Sequence, residues 1–363
     1  MGKGRWKDTS QIVEGITIKK LWCFILAIAI GFSLIQWAGP ASAREAYDYK
    51  GRTVRFVVGY SAGGSYDTYT RAIARHIGKH IPGNPNTVVE NMIGAGGVIT
   101  ANYLYNKAKP DGLTIGNWIG SLVLQQIFDK KGIRFDARKF EWVGVPSADY
   151  PVCVLTEASG VPTEEKWSAS KKEIKIGGIG SGATASDVPR ILKAALGLPI
   201  KVVDGFKGTA KIWLAAKGGE IAGGCWGWKS SKETWRKGIE SGKAKPVLQV
   251  TPRRFSDLKD VPNAIDLAKT DQERQLIKVG IHDQAAITRF YSLPPGTPRK
   301  QVKILQKAFL DTMKDPDFLA DTKNSNLDID PKSGEEVKKI IDGFFAVDPA
   351  LLAKLKGTIL PKK

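Results

Sequence analysis

The groups best placed to do chemistry lie in four short glycine-rich loops. Gly63, Gly64 and Ser65 stand between a β-branched apolar run and a stretch of helical periodicity. A loop so placed leaves backbone N–H groups unpaired at the positive end of a helix, which together form a seat for a negative group. Glycine lets an anion approach the backbone closely. Asp67, just inside the helix, reads as its cap. Ile93 to Gly97 (IGAGG), Gly177 to Thr184 (GGIGSGAT) and Phe206 to Thr209 (FKGT) are loops of the same kind, each ahead of a predicted helix. One such loop is as consistent with a tight turn as with a ligand. Four of them, arriving from two units, point to a cleft whose walls offer N–H donors to an anion.

A rival chemistry sits in the third loop. Gly178-Ile179-Gly180-Ser181-Gly182-Ala183 fits G-x-G-x-x-A after a strand, and Asp204 ends the next strand 21 residues past Ala183, the spacing of a dinucleotide fingerprint. Against an NAD-dependent dehydrogenase, the motif lies mid-chain behind an export leader without twin arginines. Ser181, Gly182 and Thr184 also serve equally well as donors to a carboxylate. Other catalytic constellations are sparse. His76, His80 and His282 lack Cys or acid neighbours at metal-ligand spacing, and no serine sits in a nucleophile elbow. The expectation is a binding protein and not an enzyme, with no cofactor and no metal.

Trp213 and Trp235 read as packing residues. Trp226 and Trp228 follow Gly223-Gly224-Cys225 at a strand's carboxyl end, where ligand crevices open in parallel sheets, and are candidates for ligand contact. Cys153 and Cys225 show no metal spacing and read as two buried free thiols, although an exported chain could also pair them.

The elements that must position these loops follow a regular order. Thr53 to Gly59 is a strand, Tyr66 to Ile81 a helix, Thr87 to Glu90 a strand, Gly94 to Lys107 a loop and helix, and Leu113 to Asn117 a strand. This βαβαβ order predicts a parallel sheet. A second cycle begins near Trp142, with strands at Val152 to Leu155, Ile174 to Gly177, Ile200 to Val203 and Ile221 to Cys225, and helices at Asp187 to Leu196 and Thr209 to Lys217. Beyond Pro262 the chain reads as helical, with a turn at Pro294-Pro295-Gly296 before a helix from Pro298 to Met313.

Lys19 and Lys20 precede an apolar run from Leu21 to Leu34 that ends in Ala41-Ser42-Ala43, the pattern of a secretory leader cleaved after Ala43. An uncleaved anchor is the alternative. The 320 residues that follow predict two domains: 44–145 with 251–363, and 146–250. The leader holds five Lys or Arg and two acids, so +16 of the net +19 remains after it. That charge favours an anionic partner. Basic residues are dispersed and no nucleic-acid module is present, so no nucleic-acid partner is expected.

The chain resembles the solute receptors of tripartite tricarboxylate transporters, the Bug-type periplasmic receptors. The pieces that carry the resemblance are Phe56 to Asp67 (FVVGYSAGGSYD), Arg71-Ala72-Ile73-Ala74, Val88 to Gly97 (VVENMIGAGG) and Lys109 to Thr114 (KPDGLT), with weaker matches at Gly180 to Ala185, Phe206-Lys207-Gly208, Lys217 to Ile221, Pro252 to Pro262 and Leu293 to Pro298. The resemblance implies an α/β fold of the type II periplasmic-binding-protein kind, two lobes with a ligand cleft between them. It implies a monomeric periplasmic receptor that hands a small organic anion, a carboxylate, to integral-membrane transporter subunits; a sensor serving a signalling partner would look alike. The ligand set it implies is Ser61, Ala62, Gly63, Gly64, Ser65, Tyr66 and Asp67 from one lobe, facing Ser181, Gly182, Ala183 and Thr184, with Lys207 and Gly208 beside them; the residues' own placement adds Tyr60, next to the first loop, and Trp226, at its strand end, to the expected set. Three departures bear on the ligand, one being Trp226 and Trp228, which are unusual in the family and could shape a pocket for an aromatic or bulky ligand. Met92-Ile93 stands where the family has Arg-Pro, and Ala222 stands where an acid is frequent, which leans toward a ligand without an amine.

Overall fold

The computed structural model describes residues 1–2 and 48–360. The leader and its cleavage motif lie outside the described residues. Within the described residues, 49–360 form one compact unit.

Its strands are β1 (Thr53–Val58), β2 (Asn86–Asn91), β3 (Thr114–Asn117), β4 (Glu141–Val145), β5 (Pro151–Thr156), β6 (Ile174–Gly177), β7 (Ile200–Val203), β8 (Gly223–Gly227), β9 (Ala244–Gln249), β10 (Tyr291–Leu293) and β11 (Lys332–Ser333). The principal helices are α1 (Ser65–Ile77), α2 (Val98–Asn106), α3 (Ser121–Ile127), α4 (Thr184–Leu196), α5 (Thr209–Lys217), α6 (Trp228–Thr234), α7 (Asp271–Ile277), α8 (Arg299–Thr312), α9 (Pro316–Asn324), α10 (Gly334–Phe345) and α11 (Pro349–Ile359).

Two sheets result. The first runs β11-β4-β10-β3-β1-β2 and the second β7-β6-β8-β5-β9. In the first, β1 lies parallel to β2 and β3, as predicted, but β10 enters antiparallel between β3 and β4. Its three residues come from the far end of the chain, and so short a strand leaves no local periodicity to read. In the second sheet β6 is parallel to β7 and β8, whereas β5 is antiparallel to β8 and β9. Both sheets are therefore mixed rather than parallel throughout.

Local sequence explains the main elements. Val54, Phe56, Val57 and Val58 of β1 are buried, as suits β-branched and aromatic residues on a covered sheet. Val188, Ile191, Leu192 and Ala195 give α4 a buried stripe at helical spacing. Gly197, at φ 68°, ends that helix with its N–H on Lys193 O. An aromatic group fills the first lobe: Trp118 meets Phe290 edge-on at 4.5 Å, and its Nε1 donates to Ser292 Oγ at 3.0 Å.

The chain leaves the first sheet after β4, crosses at 146–150 into β5, and returns at 287–290 into β10. Because parallel strands point their carboxyl ends the same way, the loops after β1, β2 and β3 share one edge. Those after β6, β7 and β8 share the edge that faces it. Two helices from the C-terminal third, α7 and α11, pack on α4 of the second lobe.

Cys153 and Cys225 are disulfide-bonded, which corrects the reading of two free thiols. They face each other directly in the β5–β8 register, and only that register brings residues 72 apart in sequence together.

Candidate functional site

The β1–α1 loop is shaped by one buried carboxylate. Gly63 takes φ 78°, a left-handed conformation that costs glycine nothing, and Gly64 occupies the N-cap of α1. Asp67 is 2% exposed. Its Oδ2 accepts the Gly63 N–H at 2.9 Å and Arg71 Nε at 2.9 Å, and its Oδ1 accepts Asn91 Nδ2 at 2.9 Å. Burial works to raise the Asp67 pKa, but Arg71, Gly63 and Asn91 outweigh it and hold the group below its ordinary value. Asp67 therefore fixes the loop from inside the helix, and Gly63 has no N–H to spare. The first-turn N–H groups at Ser65 and Tyr66 have no intrahelical partner, and residues 61–65 are exposed.

Two tyrosines tie this loop to its surroundings. The rings of Tyr60 and Tyr66 lie 4.2 Å apart. Tyr60 Oη donates to Gly96 O at 3.1 Å, in the loop before α2, and Tyr66 Oη donates to Thr288 O at 2.6 Å, in the return crossover. Burial raises both phenol pKa values well above the ordinary one, so both remain neutral donors.

The β6–α4 loop repeats the device. Gly182, at φ 92°, donates its N–H to Asp187 Oδ1 at 3.1 Å and Oδ2 at 3.0 Å. Burial pushes the Asp187 carboxyl up to about 7, against the opposing pull of the Gly182 N–H and of Arg190. Gly180 donates to Ser186 Oγ at 2.8 Å. Ser181 and Thr184 are exposed, Ala183 is half-buried at the N-cap, and Thr184 opens the helix with its N–H unpaired. The next loop is joined to this one by Phe206 N–H on Gly178 O at 3.2 Å. Gly208 caps α5 at φ 104°, with Lys207 exposed beside it.

The fingerprint has a structural explanation. Asp204 accepts Ser186 Oγ at 2.6 Å and pairs with Arg190. A Cβ on Gly178 would lie 2.4 Å from Asp204 Oδ1 and 2.6 Å from Ser186 Oγ. The glycine is needed for this carboxylate to pack, and the carboxylate is occupied.

The two loops meet through a third party. Ser121 Oγ of α3 donates to Gly182 O at 3.4 Å, and a Cβ on Gly182 would lie 2.5 Å from Gln125 Nε2. The first lobe thus touches the second at this glycine. Beside the contact is a cavity of about 40 Å³ bounded by Ser121, Asp149, Gly182, Thr184, Asp187 and Thr288, among others. Asp149, in the outward crossover, accepts Arg289 Nη2 from the return crossover at 3.0 Å. Arg289 Nε reaches Ser65 Oγ at 3.4 Å, and the guanidinium lies over the rings of Tyr66 and Tyr69 at 5.8 and 5.1 Å. Burial alone would lower the Arg289 pKa, but Asp149, Tyr66 and Tyr69 more than offset it. The pair stands between the loops, with Ser65 on one side and the cavity at Gly182 and Thr184 on the other. The reading of the sequence missed both residues. Their only signal is a lone acid in the apolar stretch from Trp142 to Leu155 and a lone arginine from Ala285 to Leu293.

Trp226 is a correction. It is 3% exposed, packs edge-on against Trp235 at 5.1 Å, and folds back over Gly224, where any Cβ would strike its ring. It belongs to the core behind β8, because alternate residues of a strand face opposite sides. Trp228 is also buried, with Nε1 on Asp257 Oδ2 at 2.9 Å. It borders a larger cavity, of about 660 Å³, between α6 and the α9 region. No residue of the glycine loops lines that space, and its size does not make it the site. The histidines have structural partners or none. His76 pairs with Asp321 at 3.0 Å and His80 with Asp315 at 2.7 Å, binding α1 and the turn after it to α9, while His282 is buried with Nε2 unpartnered.

Comparison with known proteins adds to this geometry. Residues 70–355 match the tripartite tricarboxylate transporter family receptor, TctC. A UPF0065 protein in the gbd 5′ region of Cupriavidus necator is 26% identical over 296 residues, covering 77% of this chain and 80% of that protein. A TctC solute-binding protein from Polaromonas superposes with a TM-score of 0.65 at 20% identity, covering 86% of this chain and 99% of the other. An adipate-bound protein from R. palustris superposes at 0.62 with 20% identity, covering 86% and 98%. The two sheets with their helices form the two-lobed periplasmic-binding-protein fold shared with such structures.

Proposed function

The chain belongs to the tripartite tricarboxylate transporter receptor family, and on that premise we propose that it is a periplasmic receptor which captures a small carboxylate and delivers it to a membrane transporter of that type, without catalysing a reaction. The lobes we assign follow the sequence expectation at 145/146 but shift its second boundary: residues 251–286 stay with 146–250, since α7 packs on α4, and the chain rejoins the first lobe at the return crossover, 287–290. The observation that carries the reading is the pairing of two helix N-termini. α1 and α4 each open on an exposed residue, Ser65 or Thr184, whose first-turn N–H has no intrahelical partner, and each opening is held by a buried carboxylate, Asp67 or Asp187, that takes up the N–H of a loop glycine four or five residues before it. An oxyanion seated at Ser65 and another at Thr184 would meet preorganised donors, which cost little reorganisation on binding.

The proposed contact set is Tyr60 to Asp67 and Ser181 to Thr184, with Lys207 and Gly208 able to approach an anion from the second lobe. Asp67 acts by shaping its loop, and Trp226 leaves the set because its ring is in the core. The adipate found in one structural relative supports a carboxylate as the class of solute. Occupancy of Asp204 and Gly178 speaks against a dinucleotide.

A thermal-shift screen of organic acids against the purified protein, with NADH and ATP included, tests the reading. A rise in melting temperature with one or more carboxylates and none with the nucleotides is expected. A shift with NADH and with no organic acid would sink it.

A further inference from the structure

The space between the lobes holds something that two helix N-termini do not provide. Asp149 is 8% exposed, and while its Oδ2 is taken by Arg289, its Oδ1 is buried with no partner. Asp149 borders the small interlobe cavity. The neighbouring strand makes way for this carboxylate, since a Cβ on Gly227 would lie 2.3 Å from either oxygen. Several other polar groups of the wall are engaged, Asp187 with the Gly182 N–H, Ser121 with Gly182 O and Gln284 with Gly280 O, while Thr184 offers its first-turn N–H. Within the ion pair itself two buried atoms are left without a partner, Asp149 Oδ1 and Arg289 Nη1, so a group that enters beside Asp149 could donate to the one and accept from the other.

An unpaired buried acceptor is costly, and a cavity of about 40 Å³ has room for a small polar group. We propose that this cavity is a subsite for a hydrogen-bond-donating substituent, hydroxyl or ammonium, of the bound carboxylate, with Asp149 Oδ1 as the acceptor. The proposal rests on the reading of the chain as a carboxylate receptor and narrows its solute to hydroxy or amino acids. Arg289 is the positioning residue. It holds Asp149 through Nη2 and touches Ser65 at the start of α1 through Nε, so the subsite lies between the two N–H seats. A substituent on the carbon chain of a bound acid can then enter the cavity while a carboxylate occupies a helix N-terminus. A plain acid would set a methylene against Oδ1 and leave the oxygen unpaired. The leaning away from amines drawn from Ala222 does not hold against this arrangement, because the acid comes from the crossover and Ala222 is a core residue.

Isothermal titration on the purified protein with matched triplets provides the test: succinate, malate and aspartate; glutarate, 2-hydroxyglutarate and glutamate; 3-phenylpropionate, 3-phenyllactate and phenylalanine. Within the triplet that binds, the hydroxy or amino member is expected to bind at least tenfold more tightly than the plain acid, and which of the two wins identifies the donor. Asp149→Asn and the double variant Asp149→Ala with Arg289→Ala should bring the members of that triplet within about threefold, with circular dichroism melts checking that each is folded. The double variant leaves no uncompensated charge, so it serves if Asp149→Asn unfolds. Equal binding within the triplet, or a preference that survives in a folded variant, would overturn the subsite and leave the receptor reading standing. Failure of every organic acid to bind would remove the receptor reading, and the subsite with it.

Discussion

Replacing both Cys153 and Cys225 by alanine removes a bond that closes a segment spanning 72 residues of sequence. In the chain-entropy account, a cross-link of that span withdraws about 4 kcal/mol of freedom from the unfolded chain at 25 °C. Domains have only about 5–15 kcal/mol in total, so the loss is large. With a urea m-value of about 3 kcal/mol per M, the unfolding midpoint should fall by roughly 1–1.5 M. The effect should reach the site, because β5 begins two residues after Asp149 and β8 ends at Gly227, which packs on the Asp149 carboxylate. The melting-temperature gain from a bound acid should therefore shrink in the double variant. The measurements are urea titrations of the oxidised, reduced and double-variant proteins, with masses after alkylation under denaturing conditions. Two labels incorporated without reductant, or a midpoint that does not move, would refute the pairing and the argument built on it.

A valine at Gly182, where φ is 92° and a Cβ would lie 2.5 Å from Gln125 Nε2, should cost about 1–3 kcal/mol through backbone strain and abolish the thermal gain from ligand. At Gly64, with ordinary φ but a Cβ 3.3 Å from Ser61 O, valine crowds that carbonyl, so it should cost less stability than at Gly182 and still block the N–H seat; unaltered ligand responses in both variants would place the site elsewhere. Asp187 titrates near 7 in the folded protein against about 3.9 unfolded, so its contribution is fully present below pH 4 and is lost as pH rises through 7. His282, held down to about 4 by burial, acts in the opposite sense, losing stability as pH falls from about 6.5 toward 4, but it is common to wild type and variant and cancels. The stability advantage of wild type over Asp187→Asn should accordingly narrow by about 2 kcal/mol between pH 5 and pH 7 in paired urea titrations, and a constant gap would contradict the burial of that carboxyl. Trp226→Ala should cost about 3–5 kcal/mol as a core deletion while any folded protein keeps its affinity for the solute; lost affinity without lost stability would return Trp226 to the site.

The sequence by itself determined the parts whose causes are local. A β-branched run, a glycine that needs positive φ, and apolar residues at helical spacing act over a few residues. β1, the 178–184 loop and α5 therefore stand where periodicity and turn chemistry put them, α1 begins where expected but ends at Ile77 rather than Ile81, and the unpaired N–H groups ahead of α1 and α4 could be expected before any contact was known. β8 already departs, running Gly223–Gly227 where Ile221 to Cys225 was expected, because apolar character alone does not fix which residues pair. Tertiary structure decided the rest. It set the register that opposes Cys153 to Cys225, the short β10 that turns a parallel sheet into a mixed one, and the return of α11 onto α4. It chose the strand face that hides Trp226. Above all it brought Asp149 and Arg289, 140 residues apart, into one buried ion pair between the lobes. Each of these depends on where distant strands align and which faces they cover, and no window of neighbouring residues carries that information.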